Sequence, residues 1–537
     1  MRTLAFTKRQ SPIILVSLTT FVLLCTPALA GEGGTTPQES PAAHSGLTIL
    51  DGLVLAVYAL AMLLIGYYYS RQTQSADDYL LGGRTMKPWM VGLSMFATFL
   101  SVLTYLALPG EILAHGPMTL TQILGYAIAG IVVCWVVIPY IMRFAVTSGY
   151  EILETRFGED IRLLGAVIFL MIRFLWMGLV IYATVDKVFV PVLGLDKATV
   201  PYISAMLGLI TVVYSSMGGL RAVVLSDAIQ AIILVSGAVL GIVLISVNLR
   251  GFNWFPTESN PNWDTFRLWY SPTSRADAAS FMTSVAFWWI ATASSDQMAI
   301  QRYLSTRDVR SARRMLCLSL SVNGILACLL GLLGFALLAY FTKHPEMLAA
   351  GQTVAENADQ LLPRFIVVGL PAGLSGLVIA ALVAATMSSL SSGVNSASSV
   401  ITTDFVGRFR KTSFTEEDRL RVARRMSWLV GAGAILLSMT AGLVEGNLFE
   451  KCHRMANLFT VPLFMLFFMA IFIPWATRLG VWAAVITSAT AAIGIGHFHW
   501  GNLGFLWLTI GAMITGVIVG PSVSAVELLV LRLCRKT

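Results

Sequence analysis

The segment ALVAATMSSLSSGVNS, residues 381–396, sets five serines, a threonine and an asparagine inside an apolar run. Ser388, Ser391 and Ser392 lie three and four residues apart, so a helix carries their hydroxyls on one face, with Ser389 beside them. A single serine in such a helix usually bonds back to a carbonyl of its own helix. Clustered hydroxyls with backbone carbonyls offer hard oxygen ligands instead, which suit a sodium ion better than any transition metal. Thr386 and Asn395 extend the polar set. Asp227 in GGLRAVVLSDAIQAIIL has two roles open to it, structural partner of a helix end or cation ligand. Arg173 in FLMIRFLWMGLVIY can pair with a carboxylate, reach for the interface, or receive an anionic substrate.

The elements that must position these groups follow from composition. The chain has 537 residues, 56% hydrophobic and 12% charged, with many apolar runs of spanning length. It reads as an all-α integral membrane protein of about thirteen transmembrane helices, beginning near residues 47, 89, 119, 161, 199, 222, 280, 313, 365, 426, 454, 479 and 502. Before them, Arg2, Lys8 and Arg9, the apolar run 12–24 and Ala28-Leu29-Ala30 form a signal-peptide pattern over 1–30, with an uncleaved first helix as the alternative. Residues 31–46 are then a polar extracytoplasmic amino terminus.

Lys and Arg concentrate in alternate loops, beginning with 70–88, which predicts a cytoplasmic carboxyl terminus and a multi-pass protein of the plasma (inner) membrane. Two loops dominate: 301–314 with Arg302, Arg307, Arg310, Arg313 and Arg314, and 404–425 with Arg408, Arg410, Lys411, Arg419, Arg421, Arg424 and Arg425. These side chains are expected at solvent or headgroups, and the net charge of +8 sets topology rather than nucleic-acid binding. The six cysteines have no metal-ligand spacing and read as packing residues. Walker, HExxH, CxxC and K⁺-filter motifs are absent from the sequence. Ion-coupled transport remains, with no enzyme expected; the reading from another class is a non-transporting substrate sensor, and Asp227 leaves proton coupling open.

Five motifs in order carry a family resemblance: SMFATFLSVLTYLALPGE (94–111), YSSMGGLRAVVLSDAIQ (214–230), SSDQMAIQRYL (294–304), AALVAATMSSLSSGVNSASSVITTD (380–404) and FIPWATRLGVWAA (472–484). The chain resembles the sodium/solute symporter family over roughly 47–500. That resemblance implies a LeuT-type fold of two inverted five-helix repeats, 89–248 and 280–475. An extra helix at 47–70 precedes them, an outer loop at 249–279 separates them, and two helices with a cytoplasmic tail follow at 476–537. It also implies an unwound first core helix at Ala97 to Leu100, where this sequence has neither Gly nor Pro.

By the same resemblance, sodium is the coupling ion, and the shared sodium site comprises backbone oxygens of Ala97, Leu100 and Ala385 with the hydroxyls of Ser388 and Ser389. A second sodium site would use Asp227, Ser388, Ser391 and Ser392. The cargo is a small polar solute, with organic or sugar acids favoured and a neutral hexose as the alternative. Thr292 and Thr104 replace the sugar branch's aromatic gate and its Gln or His, and MGLVIYA (177–183) is similar to the branch carrying anions, vitamins and monocarboxylates. Similarity to the sialic-acid branch makes Ser101, Thr104, Gln122 and Arg173 substrate-binding candidates. Asn457 is a further candidate, with Trp288 and Trp289 either lining the pocket or packing.

Overall fold

A computed structural model describes residues 47–261, 263–348, 354, 358–409, 415–440 and 448–535, the side chains of 359, 409 and 448–457 excepted. The expected signal peptide and polar amino terminus lie outside the described residues. The longer helices are α1 Ile49–Gln72, α2 Pro88–Phe99, α3 Val102–His115, α4 Gln122–Val132, α5 Glu159–Thr184, α6 Val200–Asn248 and α7 Ala278–Ser295. They continue with α8 Gln297–Leu304, α9 Val309–Lys343, α10 Leu374–Val400, α11 Glu416–Ser438, α12 Leu448–Phe472, α13 Arg478–Gly496 and α14 Trp507–Cys534. No strand occurs among the described residues. Among the described residues, eight helices are long and apolar enough to cross a membrane, and nine if the bent pair α2 and α3 forms one span.

Two breaks shape the interior. The first separates α2 from α3 with a 67° bend. Leu100 and Ser101 are extended there, and the Ser101 hydroxyl accepts the Thr104 N–H at 3.3 Å. An N-cap serine thus restarts the helix and satisfies a backbone donor, which a sequence search for Gly or Pro does not find. The second break is at Asp296, between α7 and α8; its carboxylate accepts the Met298 N–H at 2.9 Å. Each expected repeat therefore opens on a broken helix.

The spans expected near 199 and 222 are the two helical arms of α6, which meet at a non-helical kink at Gly219. Gly219 has φ of 61°, and a Cβ there would stand 2.6 Å from the Tyr79 carbonyl oxygen, so glycine is required twice over. The expected start near 365 is corrected. Ala358–Val368 is a separate helix, and α10 starts at Leu374. Asp51 explains that junction, because its carboxylate accepts the Gly373 and Gly376 N–H groups at 2.8 and 2.6 Å, pinning the amino end of α10 to α1.

Every residue of α10 from Val378 to Val400 is buried. It packs against α6, α5, α2 and α1, so its hydroxyls meet protein and never lipid. At the end marked by basic loops, Arg162 on α5 donates to Asp404 at 2.7 Å and to Glu154 at 2.5 Å, while Arg408 donates to Glu154 at 2.8 Å. Arg162, and then Arg408, hold the Glu154 carboxyl below its usual range. The group therefore contributes stability that is complete above the unfolded carboxylate value of about 4.3 and is lost as pH falls through the lower folded value. Thermal unfolding of Glu154→Gln should show a lower Tm than wild type at neutral pH, and the gap should close as the pH falls below about 4.

Candidate ion and solute sites

The break between α2 and α3 faces the serine cluster of α10. Ser388 Oγ donates to the Ala97 carbonyl at 2.8 Å and to Ala385 at 3.1 Å. Ser389 Oγ donates to the carbonyls of Thr98 at 3.1 Å and Leu100 at 3.3 Å. All five groups named for the shared sodium site are thus brought together by two helices, one of them interrupted at that level. A hydroxyl keeps lone pairs while it donates, so turning its proton aside presents an oxygen to a cation. Two further polar residues of the segment do structural work: Thr386 pairs with Thr184 on α5, and Asn395 Oδ1 accepts from Gln301 at 2.9 Å.

The second set has a different centre. Asp227 Oδ2 accepts from Ser94 at 2.7 Å, Ser392 at 3.0 Å and Thr98 at 3.3 Å, and its Oδ1 accepts from Ser391 at 3.4 Å. Ser388 does not join it; its hydroxyl points to Ala97 and Ala385. Arg302 occupies the middle, donating to Asp227 at 3.0 Å, Ser392 at 2.6 Å and Thr98 at 2.5 Å, with two donations to Ser94. Its side chain is fully buried, which corrects the expectation that this arginine belongs to a solvated loop. The α8 helix turns Arg302 inward, and Asp227 compensates the buried charge. Ser94, Thr98 and Arg302 are the members that sequence reasoning missed.

Arg173 also has a fixed partner. It donates to Asp296 Oδ2 at 2.7 Å, and both side chains are buried. The arginine therefore ties α5 to the second helix break. One turn further along α5, Trp176 lines a cavity of about 130 Å³. Thr104 and Gln122 line the same cavity, with Ser284 and Asn323 as polar residues not anticipated from sequence, and Trp288 and Trp289 also face it. None of the described lining residues is charged. Asn323 donates its amide N–H to the Ser319 carbonyl at 2.9 Å, which leaves its side-chain oxygen for the cavity. Ser101, the N-cap of α3, is not among the residues lining this cavity. Asn457 falls within α12, and its side chain lies outside the described residues.

Leu100 belongs to both arrangements, through its carbonyl to Ser389 and through its place in the cavity wall. An interrupted helix whose carbonyl oxygens meet a hydroxyl cluster beside a cavity with a few polar groups is the kind of construction found in ion-coupled membrane transporters. The chain belongs to the Sodium:solute symporter family, whose pattern matches residues 79–488. It is 29% identical over 486 residues to the sodium/sialic acid symporter SiaT of Proteus mirabilis, covering 87% of this chain and 95% of that one. The mouse sodium-coupled monocarboxylate transporter 1 is 28% identical over 83% of this chain and 73% of its own. Among solved structures, a substrate-bound outward-open Na⁺-coupled sialic acid symporter superposes with a TM-score of 0.77 at 27% identity, over 89% of this chain and 98% of that chain.

Proposed function

We propose that this protein imports a small organic solute by sodium-driven alternating access, with one sodium ion held between the α2–α3 break and α10. The observation that carries the reading is the convergence of Ala97, Leu100, Ala385, Ser388 and Ser389 beside the cavity. One elementary charge crossing 100 mV supplies about 2.3 kcal/mol, roughly a 40- to 50-fold concentration ratio. Arg302 already neutralises Asp227 in this arrangement, which favours a single coupling ion over two.

An organic acid is the favoured cargo, supported by the similarity to a sodium/sialic acid symporter and a sodium-coupled monocarboxylate transporter. Because Arg173 is held by Asp296, the acid would be bound by the neutral donors of Thr104, Gln122 and Ser284, with sodium supplying the compensating charge. The uncharged lining specifically favours a second reading, a neutral solute. Membrane potential separates them: a monoanion moving with one sodium ion transfers no net charge, whereas a neutral solute transfers one. In proteoliposomes with a potassium-clamped potential, acid uptake should rise with sodium and be insensitive to an inside-negative potential. Acid uptake accelerated by that potential would overturn the single-ion stoichiometry, absence of acid uptake beside potential-driven uptake of a neutral solute would replace the acid, and no dependence on sodium would remove the symport reading.

The cavity assignment has its own consequence. Asn323→Leu and Gln122→Leu each remove a group facing the solute, at about 0.5–1.5 kcal/mol per lost hydrogen bond. Together they should weaken solute half-saturation about tenfold or more, while the sodium-dependent rise in Tm stays as in wild type. Loss of the sodium response in the same protein would place these residues in the ion site instead.

A further inference from the structure

A second cavity, of about 610 Å³, runs between α4 and α9. Its walls are almost wholly apolar, and the small residues Gly130, Ser321 and Gly324 give it depth. A Cβ at Gly324 would meet only ordinary contacts, with Ile123 at 3.6 Å and Tyr126 at 3.8 Å, so the groove has room at that point. Both helices are apolar spans with exposed faces. A groove of this kind in a bilayer takes hydrocarbon.

One end of the groove is basic. The Arg313 guanidinium stacks 4.2 Å over Trp135 and donates through Nε to the Cys134 carbonyl at 2.7 Å. These contacts fix the plane of the group, and neither Nη has a partner among the described residues. Two parallel N–H donors on a fixed plane match the geometry of a phosphate. Arg310, about one turn before Arg313 on α9, and Arg314, the next residue, are exposed, and Arg143 is exposed just beyond the helix that continues α4. The basic segment expected as a loop at 301–314 is largely helical, with Arg302 on α8 and Arg310, Arg313 and Arg314 on α9, and apart from Arg302 the ion and solute sites leave it unused.

We propose that the groove is a binding site for an anionic phospholipid of the surrounding leaflet, with an acyl chain along Gly130, Ser321 and Gly324 and the phosphate on Arg313. Charge selects the occupant, because a zwitterionic lipid brings an ammonium to the same arginine cluster. Tyr126 lines both this groove and the solute cavity, and its ring lies 6.1 Å from that of Trp289. The lipid chain and the solute therefore share one wall.

The test uses purified full-length protein stripped with detergent and supplied with phosphatidylglycerol, phosphatidylcholine or glycerol phosphate. Tm and lipid retention by native mass spectrometry are read for wild type, Arg313→Gln and Gly324→Leu. Phosphatidylglycerol should raise Tm and remain bound to wild type, with phosphatidylcholine and glycerol phosphate giving little. Arg313→Gln should lose the preference for phosphatidylglycerol. Gly324→Leu, which fills the groove and leaves the arginine in place, should lose retention of either lipid. Equal retention of both lipids by wild type, an effect of glycerol phosphate alone, or unchanged retention in Gly324→Leu would each overturn the proposal.

Discussion

Asp227→Leu and Arg302→Met should each destabilise the protein severely, whereas the double substitution should be milder than either. The pair is fully buried at 3.0 Å, and three hydroxyls from α2 and α10 bridge it. Removing one partner leaves an uncompensated charge away from water, at about 3–5 kcal/mol, while removing both replaces two desolvated ions with apolar volume. The measurement is a double-mutant cycle on unfolding in detergent, in which the loss in the double variant should fall far short of the sum of the two single losses, a large coupling of negative sign. Arg302→Gln adds a functional reading of the same geometry. Without the guanidinium, the carboxylate and hydroxyls of Asp227, Ser94, Thr98 and Ser392 face one another with no compensating cation, so sodium itself should take up that role. The sodium dependence of Tm should then require two ions where wild type requires one.

The second large effect lies at the shared site. Ser389→Ala removes the oxygen that meets Thr98 and Leu100 across the break, and Ser388→Ala the one that meets Ala97. A polar contact to a charged group contributes about 1.5–3 kcal/mol, so each substitution should weaken sodium binding about 10- to 150-fold. Each lost hydroxyl leaves carbonyls at the break without a donor, and some loss of stability in choline is expected as well. The diagnostic quantity is therefore the sodium-minus-choline difference in Tm at matched ionic strength. It should collapse in both variants and persist in Asn323→Leu.

How much of this was legible in sequence depended on where the partners lie. The hydroxyl face of α10 could be read from spacing alone, because Ser388, Ser391 and Ser392 are neighbours on any helix. The break in the first core helix was legible only through resemblance, since the residue that creates it is a capping serine at position 101 rather than a glycine or proline. Arg302 was misjudged because it stands among exposed arginines in the chain. Its burial depends on Asp227, 75 residues earlier, and on a short helix whose direction Asp296 sets. Arg173 allowed three readings, and its partner Asp296, 123 residues away, identifies the observed one. Ser284 and Asn323 could have been flagged as lone polar residues on apolar helices, yet nothing local distinguishes a cavity-facing amide from one bonded within its own helix.

The central claim is that sodium binds between the interrupted helix and the serines of α10. The most direct measurement is equilibrium binding of radiolabelled sodium to the purified protein, with choline holding ionic strength constant, in wild type and in the Ser388→Ala/Ser389→Ala double variant. The account predicts saturable binding of one ion per chain in wild type and its loss in a double variant that still folds. Saturable binding undiminished in that variant, or no saturable binding in wild type, would contradict it.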